Sequence, residues 1–130
     1  MKGFKMKTRV YYDDTDAGGI MYHSNYLKYC ERARSDIFFT NNLSPIIDNS
    51  HFVVRKMECD FIKAAKFGDI IDIKTKVLEI NNASFVLEQI IYVEQTMIFK
   101  ANVLLVFTNN GKIKRLDKNT KQLIKTLFIQ

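Results

Sequence analysis

Between residues 51 and 109 apolar side chains recur at alternate positions in four successive runs, the period of strands that bury one face. In the first run Val53, Met57, Cys59 and Phe61 share a face, with Arg55 as the exception. Ile71, Ile73, Thr75 and Val77 form the second, opposite Asp72, Lys74 and Lys76. Phe85, Leu87, Ile91 and Val93 form the third, opposite Glu88 and Glu94, and Met97, Phe99, Ala101, Val103, Leu105 and Phe107 form the fourth. Turn signals separate and end them: Gly68-Asp69, Asn81-Asn82, a break over Glu94 to Thr96, and Asn109-Asn110-Gly111. These runs reach about ten residues or more, above the usual strand length of about 5–6. Only one long helical pattern is available to cover so large a sheet. A strongly curved antiparallel sheet wrapped around that helix satisfies both constraints, giving an α+β domain.

The helix lies in the first third of the chain. Tyr26, Cys30, Ala33 and Ile37 are spaced four, three and four apart, and Leu27 and Phe38 widen the stripe. It starts between His23 and Asn25, with Ser24 or Asn25 as its cap, and stops at Asn41-Asn42 ahead of Ser44-Pro45. Lys28, Glu31, Arg32 and Arg34 define a side that must reach solvent or a partner subunit. Before the helix, Phe4 to Tyr12 reads as a half-exposed strand, with Met6, Thr8, Val10 and Tyr12 on one face. After the last strand a lysine-rich tail carries a weaker helical stripe of Leu123, Ile124, Leu127 and Phe128.

The chemistry is concentrated between Asp13 and Arg34. Asp13, Asp14 and Asp16 precede Gly18-Gly19, which leads into Tyr22-His23 and the helix. Paired glycines let the backbone approach a ligand closely. A helix N-terminus beyond them offers unpaired N–H groups and a dipole that favour developing negative charge. Ordinary strand-to-helix connections need neither feature.

A chain of 130 residues is the size of one domain, taken here as residues 1–130, with an ordinary globular balance of 47% apolar and 26% charged residues. Cys30 and Cys59 are too few for a disulfide framework and read as free thiols of a reducing cytosol. No signal-peptide or membrane-spanning run is present. The net charge of +6 suits an anionic or phosphorylated partner. Nucleic acid is disfavoured, because the ten Phe fall on apolar faces and not among the lysines.

The stretch DTDAGGIMYHSNYLKYCERAR resembles the signature of hotdog-fold acyl-CoA thioesterases, in the Tol–Pal-associated branch of the 4-hydroxybenzoyl-CoA thioesterase family. Asp14-Thr15-Asp16 followed by Gly19, then Tyr22-His23 and Tyr26, then Glu31 and Arg34, stand at the offsets of that pattern, and the order of elements agrees over all but the last twenty residues. The resemblance implies a five-stranded curved sheet around a central helix, a homodimer or homotetramer, an active site at the dimer interface, and no metal or cofactor.

It also assigns roles. Thioester hydrolysis needs a base or nucleophile at the carbonyl carbon and donors aimed at its oxygen. Asp16 matches the family's catalytic acid, either activating water or attacking directly; Asp13 and Asp14 are weaker candidates. The donors are backbone N–H groups around Tyr22 and His23, with Gly18 and Gly19 giving the thioester access. His23 is placed to orient Asp16 or to donate to substrate, whereas His51 reads as a packing residue. Tyr22 and Tyr26 shape an acyl pocket. Glu31 is a second acidic candidate, with surface pairing to Arg34 or Lys28 the favoured reading. Lys112, Lys114 and Arg115, or else Lys63 and Lys66, are candidates for the coenzyme A phosphates. The family's basic cluster is missing where this chain has Asn81-Asn82-Ala83. Two alternatives remain: an acyl-thioester dehydratase using His23 and Glu31, and a non-catalytic module that binds acyl-thioesters, acyl carrier protein or phospholipid-synthesis enzymes.

Overall fold

The computed structural model describes residues 4–129. Strand β1 (Phe4–Arg9) leads through a 3-10 turn (Tyr12–Asp14) to helix α1 (His23–Phe39). Four long strands follow: β2 (Ser50–Phe61), β3 (Ile70–Ile80), β4 (Ser84–Val93) and β5 (Thr96–Asn109). A two-residue strand β6 (Lys112–Ile113) and helix α2 (Lys118–Leu127) complete the order. The sheet is antiparallel throughout, in the order β1-β3-β4-β5-β2, with β6 folded back on β5. This is the hotdog arrangement, with the sixth, very short strand as an addition.

The inner face of the sheet carries the residues that the alternation selects. Ile71, Ile73, Thr75, Val77, Phe85, Leu87, Ile91, Phe99, Ala101, Val103, Leu105 and Phe107 are all buried, and Tyr26, Cys30, Ala33, Ile37 and Phe38 of α1 meet them. Several placements differ from the periodic reading. Phe61 is exposed at the end of its strand, and at the start of the last long strand Ile98 is buried while Met97 is only half-buried. Leu27 is exposed and Tyr29 takes the buried position beside it. Tyr12 has left the strand for the 3-10 turn and stands exposed. In β2 the register against β5 shifts between Val54 and Lys56, so Arg55 is the extra residue of a bulge. Before that bulge Phe52 faces in and Val53 faces out; after it Met57 and Cys59 are half-buried. Cys30 is fully buried and Cys59 partly so, and both are free thiols.

The turns divide by chemistry. Asn110-Gly111 is left-handed at both residues (φ 52° and 76°), as its composition suggests. Asn81-Asn82 turns without positive φ, whereas the β4–β5 turn puts Glu94 at φ 49° and Gln95 at 70°. Neither residue suits that region, so Gln95→Gly should stabilise the fold by about 1 kcal/mol, read as a raised urea midpoint. Among the described residues no helix is long and apolar enough to cross a membrane.

Candidate active site

The segment from Asp14 to Tyr22 folds as a short two-stranded loop ahead of α1. The Tyr22 amide donates to the Asp14 carbonyl at 3.0 Å, Thr15 bridges Met21, and the Asp16 amide donates to the Ile20 carbonyl at 2.9 Å. Two bonds tie this loop to the chain ahead of β3: Met21 N–H to the Ala65 carbonyl at 2.9 Å, and Phe67 N–H to the Gly19 carbonyl at 3.0 Å. Gly19 sits at φ 78° and allows the reversal.

The acidic residues of this loop part company. Asp14 is buried at 3% exposure and is the anchor. Its carboxylate accepts from Tyr29 Oη, from the Tyr11 amide at 2.9 Å and from Asn25 Nδ2 at 2.9 Å, with Lys28 Nζ 3.9 Å away. Burial works to raise the Asp14 pKa, but the bonds from Tyr29 and Tyr11, the Lys28 charge and the Asn25 bond outweigh it and hold it below the ordinary value. Burial and the Asp14 acceptor push the Tyr29 phenol well above its ordinary value. Asp14 ionised therefore contributes its full stabilisation above the unfolded carboxylate value of about 3.9. That contribution is lost as pH falls through the lowered native value. In urea titrations Asp14→Asn should flatten the acid limb of stability and cost about 1–3 kcal/mol at neutral pH.

Asp16 is exposed, and its Oδ1 accepts from Gly18 N–H at 2.8 Å and Ile20 N–H at 3.2 Å. A Cβ on Gly18 would stand 3.3 Å from that oxygen, so the glycine keeps the carboxylate unobstructed. The carboxylate is thus fixed through one oxygen while the other has no hydrogen-bond partner among the described residues.

The helix start differs from the expected cap. His23 is the first helical residue, Tyr22 is the cap position, and no side chain caps it. Asn25 instead reaches back to Asp14, and its own amide bonds the Tyr22 carbonyl at 3.0 Å. The Tyr22 amide is occupied by Asp14, which removes it from the donors the sequence suggested. The His23 and Ser24 amides have no acceptor among the described residues. The His23 ring packs edge-on against Phe61 at 4.6 Å and makes no bond to Asp16.

The other named residues separate. Tyr26 is buried, stacks on Phe99 and accepts the Ala65 amide at 2.9 Å, so it fastens the helix start to the sheet; Tyr22 is half exposed. Glu31 is exposed, and its carboxylate takes the Ser35 hydroxyl at 2.9 Å instead of Lys28 or Arg34. Arg34 turns inward, away from the solvent side expected of it, and donates to Gln89 Oε1 at 2.9 Å. Burial lowers its pKa, against the opposing influence of Cys30 and Glu31. Lys112, Lys114 and Arg115 are exposed around β6, with Lys114 Nζ 3.3 Å from Ser50 Oγ. Lys63 and Lys66 are exposed on the β2–β3 connection, next to the loop that Phe67 and Ala65 secure. His51 is exposed on β2. Gln89 leaves one signal in the sequence, a polar residue at an inward position of a strand otherwise apolar on that face.

The model of the thioesterase superfamily matches residues 18–100. The chain belongs to the thioesterase superfamily. It is 39% identical over 116 residues to the acyl-CoA thioesterase YbgC of Helicobacter pylori, covering 88% of this chain and 87% of that one. To the YbgC of Haemophilus influenzae it is 37% identical, over 86% and 85% of the two chains. The crystal structure of a probable thioesterase from Bartonella henselae superposes with a TM-score of 0.83 at 32% identity, covering 88% of this chain and 99% of that one. This thioesterase carries its superfamily match from Gly18 onward, two residues after Asp16.

Proposed function

We propose that this thioesterase hydrolyses acyl-CoA to a free acid and CoA, as a single hotdog domain over residues 1–130 acting in the cytoplasm. The observation that carries the reading is the uncapped start of α1 beside the Asp16 loop. Asp16 pairs with Ile20 and Asp14 with Tyr22. Two residue steps at about 3.3 Å each therefore separate the position of Asp16 from Tyr22, the cap residue directly ahead of His23. A thioester carbonyl reaching the His23 and Ser24 amides would have its oxygen polarised by them and by the helix dipole. Asp16 then either draws the proton from an attacking water or adds directly to the carbonyl carbon. In both cases the C–S bond breaks, the sulfur leaves as thiolate and gains a proton, and water supplies the hydroxyl of the acid.

Gly18 and Gly19 leave room for the thioester, and the exposed rings of Tyr22 and His23 flank it, with Tyr26 behind them. Lys112, Lys114 and Arg115 suit the coenzyme A phosphates as exposed charges, with Lys63 and Lys66 the second set. Glu31 belongs on the acyl side. A second copy completes the site. In its support, β2 is an edge strand of the sheet, and Val53, Val54, Phe61 and Ile62 stand exposed along it and just beyond its end.

Purified protein incubated with acyl-CoAs of increasing length should release free thiol, and light scattering should give a mass that is a multiple of 15.2 kDa. Absence of thiol release across the whole series would reject hydrolysis and favour the binding-module alternative.

A further inference from the structure

No hydrogen bond of Asp16 leaves its own loop. Its carboxylate takes the Gly18 and Ile20 amides, its amide bonds the Ile20 carbonyl, and its carbonyl takes the Gly19 amide at 3.0 Å. The further ties of the loop run to the chain ahead of β3, not to α1. Among the described residues, the direct bonds that join the segment from Tyr11 to Asp16 to α1 and its cap all end on Asp14. The placement of Asp16 against the open His23 and Ser24 amides therefore rests first on its neighbour two residues back.

Asp14 is joined to α1 through both of its carboxylate oxygens. Asn25 Nδ2 donates to Oδ1 at 2.9 Å and Tyr29 Oη donates to Oδ2, while the Asp14 carbonyl takes the Tyr22 amide at 3.0 Å. Positions 25 and 29 are one turn apart on a single helix face, so the two donors grip the carboxylate together. The Tyr29 ring is buried, with the Arg32 guanidinium 5.5 Å and the Lys28 ammonium 6.0 Å from its centre. A buried carboxylate is costly to keep and persists only where its bonds are made. Holding the helix does not require it, because Tyr26 already fastens the helix start to the sheet through the Ala65 amide. What the Asp14 cluster adds is register between the Asp16 loop and the first turns of α1.

The geometry points to Tyr29 and Asn25 as positioning residues for hydrolysis, which act through Asp14 to hold the Asp16 loop in register with the uncapped start of α1. Neither side chain bonds Asp16, and the Tyr29 hydroxyl bonds only Asp14 among the described residues. A misplacement of about 1 Å at a reacting group can cost about 10²-fold in rate. Loss of one donor should therefore be read in kcat and not in KM. Both residues take this role on the reading of Asp16 as the hydrolytic carboxylate.

Tyr29→Phe tests the role cleanly, since it keeps the ring and its cation contacts and removes the hydroxyl alone. Thiol release is measured on the full chain with the acyl-CoA that the parent turns over fastest. In protein that circular dichroism shows to be folded, kcat should fall about tenfold with KM within about twofold of the parent. In the Asp16→Asn background, assayed with enzyme in excess over acyl-CoA, the same change should leave the residual rate within about twofold. The urea midpoint should fall in both backgrounds, and a purely structural hydroxyl would lower it without that split in rate. Asn25→Ala should lower kcat about three- to tenfold in the same manner, and it carries the test should Tyr29→Phe not fold. Parent-like kcat in the folded variants, or an equal loss that persists in the Asp16→Asn background, would overturn the assignment while leaving hydrolysis intact. No thiol release from the parent would instead reject hydrolysis itself, and the positioning role with it.

Discussion

Asp16→Asn should lower kcat for acyl-CoA hydrolysis by about 10²–10⁴-fold, with circular dichroism and urea midpoint unchanged. The substitution isolates chemistry from structure. Asparagine keeps the Oδ1 acceptor that Gly18 and Ile20 bond at 2.8 and 3.2 Å, and the exposed side chain carries no packing. What is lost is the negative charge, and with it the capacity to take a proton or attack a carbonyl. Asp13→Asn, in the 3-10 turn just ahead of the loop and also exposed, should retain turnover. Thiol release measured on both variants decides the matter: an Asp16→Asn enzyme within twofold of the parent would exclude this carboxylate from the reaction.

Gln89→Leu should cost about 3 kcal/mol of stability, since each buried polar group left without a partner costs about 1–3 kcal/mol. The change strands Arg34 and Thr75 and removes the donor that ties the Cys30 carbonyl of α1 to the sheet. Gln89→Glu restores the acceptor for Arg34 but turns a carboxylate oxygen toward the Cys30 carbonyl, so it should recover only part of the loss. Urea unfolding of the two variants gives the comparison. A cost below 1 kcal/mol for Gln89→Leu would mean that the helix holds its place by apolar packing alone.

Arg34 and Gln89 also mark the limit of what could be read from the chain. They lie 55 residues apart, and on a helical wheel Arg34 belongs with Lys28, Glu31 and Arg32 on the solvent side. The same limit applies to the acidic loop. Asp14 and Asp16 are indistinguishable by residue type, yet one is buried under Tyr29, fifteen residues on, and the other stands in solvent. The expected cap at Ser24 or Asn25 fails for the same reason, because Asn25 is drawn to Asp14.

Where backbone period alone dictates burial, the sequence was sufficient. β3, β4 and β5 bury the alternate residues their patterns select except Val93 and Met97, which are half-buried, α1 buries Tyr26, Cys30, Ala33 and Ile37, and the single helix against long strands required a curved sheet. The Arg55 bulge shows how little is needed to defeat it, since one extra residue exchanges the faces of Phe52 and Val53. Alternation and helical spacing are local geometry, repeated in every residue, and therefore written in the chain. Which of two like carboxylates is buried, which arginine turns inward and which helix amides stay unpaired depend on partners far off in sequence, and only the folded sheet brings those within reach.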